Sequence, residues 1–318
     1  MKLFLGIDIG GTRLKCGLVN EGGELLTSAE THSPASVEAL RQVLLTLVPQ
    51  VLEGRTPAAA GFGCKGIIDP RTTQVAVLPG VWGFLTNLRL SSLLEELIPP
   101  GVPVAADNDA KAVLAGEMLW GAAIHRHNAI LLTLGTGIGG AVLADGRILR
   151  GAGGAAGHLG HVSADPDGPL CICGSRGCLE TLFSARAIEA AAWTLVHQGC
   201  ASPMADILRA HPESLSTRFV FDQAALGDPL ATHILDQRIA LFAATLAGLI
   251  HAFDPEIVIL SGSISCAGDA LLEPLRAQVA PRIRGLIAHH VPIVLSGLSD
   301  TSGISGAAAL ARLALQAA

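Results

Sequence analysis

One pattern occurs twice and constrains this chain more than any other: a strand, a glycine turn, a second strand, a hairpin turn and a third strand. The first copy runs through Leu3–Ile9, Gly10-Gly11-Thr12, Leu14–Val19, Gly22-Gly23 and Glu24–Ala29. The second runs through Ala129–Leu134, the stretch from Gly135 to Gly140, Ala141–Leu143, Asp145-Gly146 and Arg147–Leu149. Period-two alternation marks the strands, and paired turn residues mark the hairpins. The two halves do not repeat in letters; they repeat in architecture. A chain of 318 residues is long enough for two domains, each with its own core, and each copy would open one of them.

Between and after the copies the pattern is mixed α/β. Pro34 opens a helical stretch to about Leu52, Ala58–Phe62 is a small-residue strand, Ser91–Ile98 reads as a helix and Val102–Ala105 as a short strand. Asp107-Asn108 sits where a helix from Asp109 to about Leu119 begins. The segment from Gly151 to Gly177 is rich in Gly, Pro, Asp and Cys; an irregular stretch of that length calls for a stabilising device. Helices dominate after Glu180, interrupted by strands at Ile257–Leu260, with Ser261-Gly262-Ser263 behind it, and Ile293–Ser296; a last helix runs from about Gly303 to Leu315.

Composition narrows the function classes. The net charge is −6 and no basic block occurs, which argues against nucleic acid or an anionic membrane as partner. The longest nearly clean apolar stretch, Ile239 to Ile250, is too short to span a bilayer, and the N-terminus shows no signal-peptide pattern, so the expected compartment is the cytoplasm. Of the 7 cysteines, Cys16, Cys64, Cys200 and Cys266 lie among apolar or small residues and read as core filler.

The two glycine turns read as phosphate sites. Glycines at Gly10-Gly11 would let the backbone take positive φ and aim successive N–H groups into one space, Thr12 adds a hydroxyl, and Asp8 is placed to orient Mg²⁺-bound water. An ordinary hairpin turn beside a solvated aspartate is the plainer alternative. The second turn contains a literal G-x-G-x-x-G at Gly135, Gly137 and Gly140, but the dinucleotide fingerprint needs a helix directly afterwards, and here an alternating hairpin follows. No G-x-x-x-x-G-K-[ST] occurs. Two such turns, each opening a domain, suit a nucleotide clamped from both sides.

The spacing of His161, Cys171, Cys173 and Cys178, H-x9-C-x-C-x4-C, places imidazole and thiolate together, a donor set suited to a closed, structural Zn²⁺ site. Gly174 and Gly177 allow the tight backbone such a site needs. Buried thiols beside an unrelated histidine are the alternative.

Asp8-Ile9-Gly10-Gly11-Thr12-Arg13-Leu14-Lys15 resembles the N-terminal phosphate motif of the ROK family (repressors, open reading frames and sugar kinases). The resemblance continues through Asp107-Asn108-Asp109-Ala110, residues 133–140, residues 157–180 and Ser302-Gly303-Ile304-Ser305-Gly306-Ala307-Ala308, and so covers essentially the whole chain. It implies a two-domain, actin-like or hexokinase-like ATPase fold with ribonuclease H-like halves. The expected division is residues 1–108, joined by a C-terminal helix at about 302–318, and residues 109–301, carrying the zinc loop 157–180.

The resemblance also implies ATP with Mg²⁺ as cosubstrate, structural Zn²⁺, a small sugar as substrate and a homodimer or homotetramer. It places Asp8, Gly10, Gly11, Thr12, Lys15, Gly135, Thr136, Gly137, Gly139 and Gly262 on the ATP side. Gly66, Asn108, Asp109, His158, His161 and Glu180 fall on the sugar side, with Asp109 as catalytic base. Phosphoryl transfer needs in-line positioning, charge neutralisation and such a base. Read alone, Asp-Asn-Asp before an alanine-rich helix is equally a helix cap.

Two stretches depart from the family pattern. Gly157-His158-Leu159-Gly160-His161 has histidine where family kinases usually carry a sugar-binding glutamate. A carboxylate only accepts hydrogen bonds, whereas neutral imidazole offers one donor and one acceptor. This form resembles the bacterial N-acetylmannosamine kinases, glutamate the glucokinases. Cys64-Lys65-Gly66 stands where a proline-containing turn is common, and Val81-Trp82-Gly83-Phe84 only loosely matches the usual sugar-side segment. The leading reading is phosphorylation of a hexose or N-acetylhexosamine at its 6-hydroxyl. A repressor would carry a DNA-binding domain before Asp8, a sensor without catalysis would be expected to lose Asp109, and an oxidoreductase conflicts with the hairpin after Gly140.

Overall fold

The computed structural model describes residues 2–78, 80–298 and 301–317. The first half runs β1 (Leu3–Ile9), β2 (Arg13–Asn20), β3 (Leu25–His32), α1 (Val37–Leu52), β4 (Ala59–Cys64), β5 (Ile67–Asp69), β6 (Gln74–Val77), β7 (Val104–Asn108) and α2 (Asp109–Trp120). The second runs β8 (Ala129–Leu134), β9 (Ile138–Ala144), β10 (Arg147–Ile148), α3 (Leu179–Phe183), α4 (Ala185–His197), α5 (Pro203–Ala210), α6 (Thr217–Ala225), α7 (Pro229–Phe253), β11 (Ile257–Ser261), α8 (Asp269–Ile283), β12 (Ile293–Leu295) and α9 (Ser302–Ala317).

Ten of the strands form two five-stranded sheets, β3-β2-β1-β4-β7 and β10-β9-β8-β11-β12, and β5 and β6 pair as an antiparallel ribbon. In the first, β1, β2 and β3 are antiparallel neighbours, while β1, β4 and β7 run parallel. In the second, β8, β11 and β12 run parallel and β10 pairs antiparallel with β9. Both sheets thus have the same order, an antiparallel meander followed by crossover strands, and the architectural duplication expected from the glycine turns is present. Tertiary contacts divide the chain into one compact unit of Met1–His127, Ala141–Gly157 and Ser296–Ala318 and a second of Asn128–Gly140 and His158–Leu295.

In the first unit a row of glycines decides where the last helix goes. Gly17, Gly6 and Gly61 are register partners across β2, β1 and β4. A Cβ on Gly6 would meet the Ile304 carbonyl oxygen at 2.2 Å, and one on Gly61 the Ala307 carbonyl oxygen at 2.0 Å. Only a sheet face without side chains lets helix backbone come this close. The same logic joins α9 to α2, where a Cβ on Gly306 would meet backbone of Ala112 at 2.5 Å. On the sheet's other face α1 starts at Ser36, whose hydroxyl accepts the Ala39 N–H, and buries Leu40, Leu44, Leu47, Val48 and Val51 at helical spacing.

In the second unit the long helix α7 is capped by Asp228, whose carboxylate accepts the N–H groups of Leu230 and Ala231 at 2.9 Å. It is apolar and long, but over half of its most hydrophobic window is buried inside the protein, and Phe242 packs its ring 4.5 Å from that of Phe183. This is a core helix.

Several expectations need correction. Residues 91–98 form no α-helix; a single 3₁₀ turn, Leu90–Leu93, is all that develops. Arg89 makes no side-chain cap, Pro99 and Pro100 close the far end, and so short a segment cannot offset the cost of nucleation. Gly139 and Gly140 belong to strand β9, so the second glycine turn is confined to Gly135–Gly137. Of the cysteines read as core filler, Cys16 and Cys64 are buried and Cys200 is half-buried. Cys266 is exposed: it lies in a 3₁₀ turn, Ser263–Ala267, in which only Ile264 is buried. Ala318, the last residue of the expected terminal helix, lies outside the described residues.

Candidate active site and metal cluster

The first unit collects its polar residues at the carboxyl ends of its parallel strands, where ligands bind in open α/β sheets. Asp8, Gly63 and Asp107 form one register row across β1, β4 and β7; Ile9, Cys64 and Asn108 form the next. Just beyond lie the Gly10-Gly11-Thr12 turn, Lys65-Gly66 and the start of α2. The point where a Gly63 Cβ would sit is 3.3 Å from Ala112 Cβ, 3.8 Å from Asp109 Cα and 3.9 Å from Asp8 Oδ1, so glycine here lets the start of α2 pack closely over the sheet beside Asp8.

Asn108 caps α2: its Oδ1 accepts the Ala110 N–H at 3.0 Å and its Nδ2 donates to the Gly66 carbonyl at 3.1 Å. The cap expected of this segment is therefore real, and it is Asn108 that supplies it. Asp109, the first helical residue, is half-buried at the helix N-terminus. Gly66 adopts φ 93°, and a side chain there would strike the Val77 carbonyl oxygen at 2.5 Å. Burial, and then the charge of Asp109, push the Asp8 carboxyl up to about 7, with Lys15 opposing. Lys15 is the cross-strand partner of Asp8.

The glycine turn does not work as the sequence implied. Neither Gly10 nor Gly11 has positive φ, and the Gly10 N–H is used up on the Arg13 carbonyl at 3.1 Å. Glycine is required by proximity instead: a Cβ would meet the Arg13 carbonyl oxygen at 2.8 Å from Gly10 and Lys65 Nζ at 3.0 Å from Gly11.

Sequence reasoning passed over three polar groups beside the Asn-Asp pair. Asp107, almost fully buried, takes an ion pair from Arg150 Nε at 2.8 Å, and buried Lys111 donates to the Gly154 carbonyl at 2.5 Å. Together they hold segment 150–154 against the first turn of α2. The sequence signal was Asp107 and Lys111 at a spacing of four around the Asn-Asp pair, which reads as ordinary helix-start polarity until the fold brings in Arg150.

In the second unit, Gly135–Gly137 and Gly262 follow the parallel strands β8 and β11. Gly262 is at φ 91°, and a Cβ there would meet the Leu134 carbonyl oxygen at 2.5 Å. Glu180 reaches this turn: its Oε2 accepts the Ile138 N–H at 2.8 Å, and a Cβ on Gly137 would lie 2.4 Å from that oxygen. Thr136 is exposed at the tip. His158 and His161 are half-buried with ring centroids 6.2 Å apart.

His161, Cys171, Cys173 and Cys178 come together, with all four ligand atoms within 4.8 Å of one another. His161 Nδ1 is 3.5 Å from Cys171 Sγ, and Cys173 Sγ is 3.5 Å from Cys178 Sγ. Tetrahedral zinc with metal–sulfur bonds of about 2.3 Å separates its ligands by roughly 3.7 Å, so the donor set fits the ion. The loop is folded to bring this about. The Ala164 N–H donates to the Gly177 carbonyl and the Gly177 N–H to that of Pro169, while a Cβ on Gly177 would overlap the Asp165 carbonyl oxygen at 1.5 Å. Burial and the neighbouring thiols push Cys178 up to about 12, and a metal bound there would displace its proton.

The ROK family model matches residues 4–314. A glucokinase of Thermotoga maritima is 36% identical over 315 residues, covering 96% of each chain. An N-acetylmannosamine kinase of Salmonella heidelberg is 32% identical, covering 97% of this chain and 98% of its own. The crystal structure of a ROK family glucokinase from Streptomyces griseus, in complex with glucose and AMPPNP, superposes with a TM-score of 0.84 at 30% identity, covering 98% of this chain and 99% of that one. Two α/β sheets of equal strand order with acidic and glycine-lined strand ends define the hexokinase-like fold. The chain belongs to the ROK family.

Proposed function

We propose that this ATP-dependent sugar kinase transfers the γ-phosphoryl group to the 6-hydroxyl of a hexose or N-acetylhexosamine, with Asp109 as the base. The single observation that carries this reading is the carboxyl-end arrangement of the first unit. Asp109 is partly open to solvent at a helix N-terminus, while Asn108 is locked by hydrogen bonds to Gly66 and Ala110. A carboxylate so placed accepts the hydroxyl proton as the sugar oxygen forms its bond to phosphorus and the bond to the β-phosphate oxygen breaks, releasing ADP.

Asp8 fits a place near a nucleotide-bound Mg²⁺, because a carboxyl raised to about 7 by burial and Asp109 is one that a cation would stabilise in its ionised form. The metal would neutralise phosphate charge; Thr12, Lys15 and the turn of residues 10–12 would orient the phosphates. Gly135–Gly137 and Gly262 supply the second unit's nucleotide contacts, and His158, His161 and Glu180 its sugar side. Zinc on His161 and the three cysteines would fix the loop that carries them. We place the protein in the cytoplasm, a reducing compartment in which a cluster of three thiols and a histidine suits a metal.

His158 favours N-acetylmannosamine as the sugar, and the glucokinase relatives favour glucose. A coupled ADP-release assay over glucose, N-acetylmannosamine, N-acetylglucosamine, mannose, fructose and allose decides between them. Asp109→Asn is expected to lower kcat by about 10²–10⁴-fold while sugar affinity, read by calorimetry, stays within about threefold. Near-normal turnover in this variant would remove Asp109 from the mechanism.

A further inference from the structure

We propose that Lys65 is a further catalytic residue, its ammonium binding the phosphoryl group as it passes from nucleotide to sugar. The inference rests on the reading of residues 10–12 as a phosphate turn. Lys65 follows β4 and reaches over that turn: a Cβ on Gly11 would lie 3.0 Å from its Nζ and 3.4 Å from its Cε. The side chain is exposed, and no carboxylate among the described residues lies within 4.0 Å of its ammonium.

Charge balance points the same way. Asp8 and Asp109 both lie beside Gly63, and a polyphosphate brought to this strand end adds further negative charge to theirs. Lys15 lies across the strand pair from Asp8 and lowers its proton affinity, so its charge is already committed. Lys65 has no such partner. The buried Cys64 thiol, next to Lys65 in the chain, feels Asp109 and Asp8 as well.

Hydrogen-bond supply makes the lysine necessary. With the Gly10 N–H spent on Arg13, the turn offers fewer donors to a phosphate than a full backbone nest. A metaphosphate-like group carries its charge on three equatorial oxygens, and a mobile ammonium with three donors can follow those oxygens into the transition state. An exposed lysine that merely solubilises the surface would do none of this.

The test compares Lys65→Met and Lys65→Arg with the unmodified protein, using the sugar it turns over best. Lys65→Met is expected to lower kcat by about 10²–10³-fold, with Lys65→Arg recovering about tenfold or more. Sugar KM and melting temperature should hardly move, because the side chain is exposed. Affinity for ADP with aluminium fluoride should fall in step with kcat, and affinity for AMPPNP by only about threefold. Gly11→Ala, which pushes the ammonium aside, should cost less in the Lys65→Met background than alone. Wild-type kcat in Lys65→Met, or equal losses with both nucleotide complexes, overturns the assignment and leaves the kinase reading standing. If the unmodified protein phosphorylates none of the six sugars, the kinase reading itself fails and takes the lysine's role with it.

Discussion

Replacing Asp8 with asparagine should make the ligand-free protein more stable and the enzyme slower. The Asp8 carboxyl is pushed from its ordinary 3.8 up to about 7, first by burial and then by Asp109. A raised acid is favoured by folding in its protonated form, so its benefit is complete below about pH 4 and is lost as the pH rises through 7. At about 1.4 kcal/mol per pH unit the full penalty at pH 8 is roughly 4 kcal/mol, and residual solvent access at this half-buried position reduces it to about 2–3 kcal/mol. Asparagine keeps the shape and removes the charge. For a domain of this size each kcal/mol moves the melting temperature by about 2–4 °C, so Asp8→Asn should melt roughly 5–10 °C higher at pH 8 and about a quarter of that higher at pH 4.5. The assay is thermal denaturation in EDTA without nucleotide across that pH range, with kcat measured alongside. Parallel melting curves at every pH, or a less stable variant at pH 8, would refute the account of Asp8 as a strained acid awaiting a cation.

Gly61→Ala should destabilise the protein by about 1–3 kcal/mol, because its Cβ meets the Ala307 carbonyl at 2.0 Å and must lift α9 off the sheet; denaturant unfolding measures this. Glu180→Ala leaves the Ile138 N–H without its acceptor and loosens the Gly135–Gly137 turn, so KM for ATP should rise about threefold or more. Sugar KM should rise as well, and an unchanged KM for ATP would show that the carboxylate does not hold the turn. Stripping metal with a strong chelator should lower melting temperature and sugar affinity together, and elemental analysis of the native protein should give one zinc per chain. No stoichiometric metal would leave the four-residue cluster without its ion.

The sequence by itself determined the architecture and the chemical cast. Strand alternation and glycine turns are local: each needs only its neighbours in the chain, so both meanders were legible from Leu3 and from Ala129 onward. The His161–Cys178 cluster was legible for a related reason, since all four donors lie within one loop. Whole-chain motifs then gave the family. Tertiary structure decided what spacing cannot encode. Gly6, Gly17 and Gly61 look like weak strand residues until α9, hundreds of residues later, comes to lie on them. Gly10 and Gly11 are needed for close approach and not for positive φ, a distinction invisible in the letters. Arg150 meets Asp107, Glu180 meets Ile138, and Lys65 meets Gly11 only because the parallel strands end together or a distant helix start folds back. Local backbone preference follows from the residue and its neighbours, but which charge faces which is settled only when the core closes and brings distant segments within bonding distance.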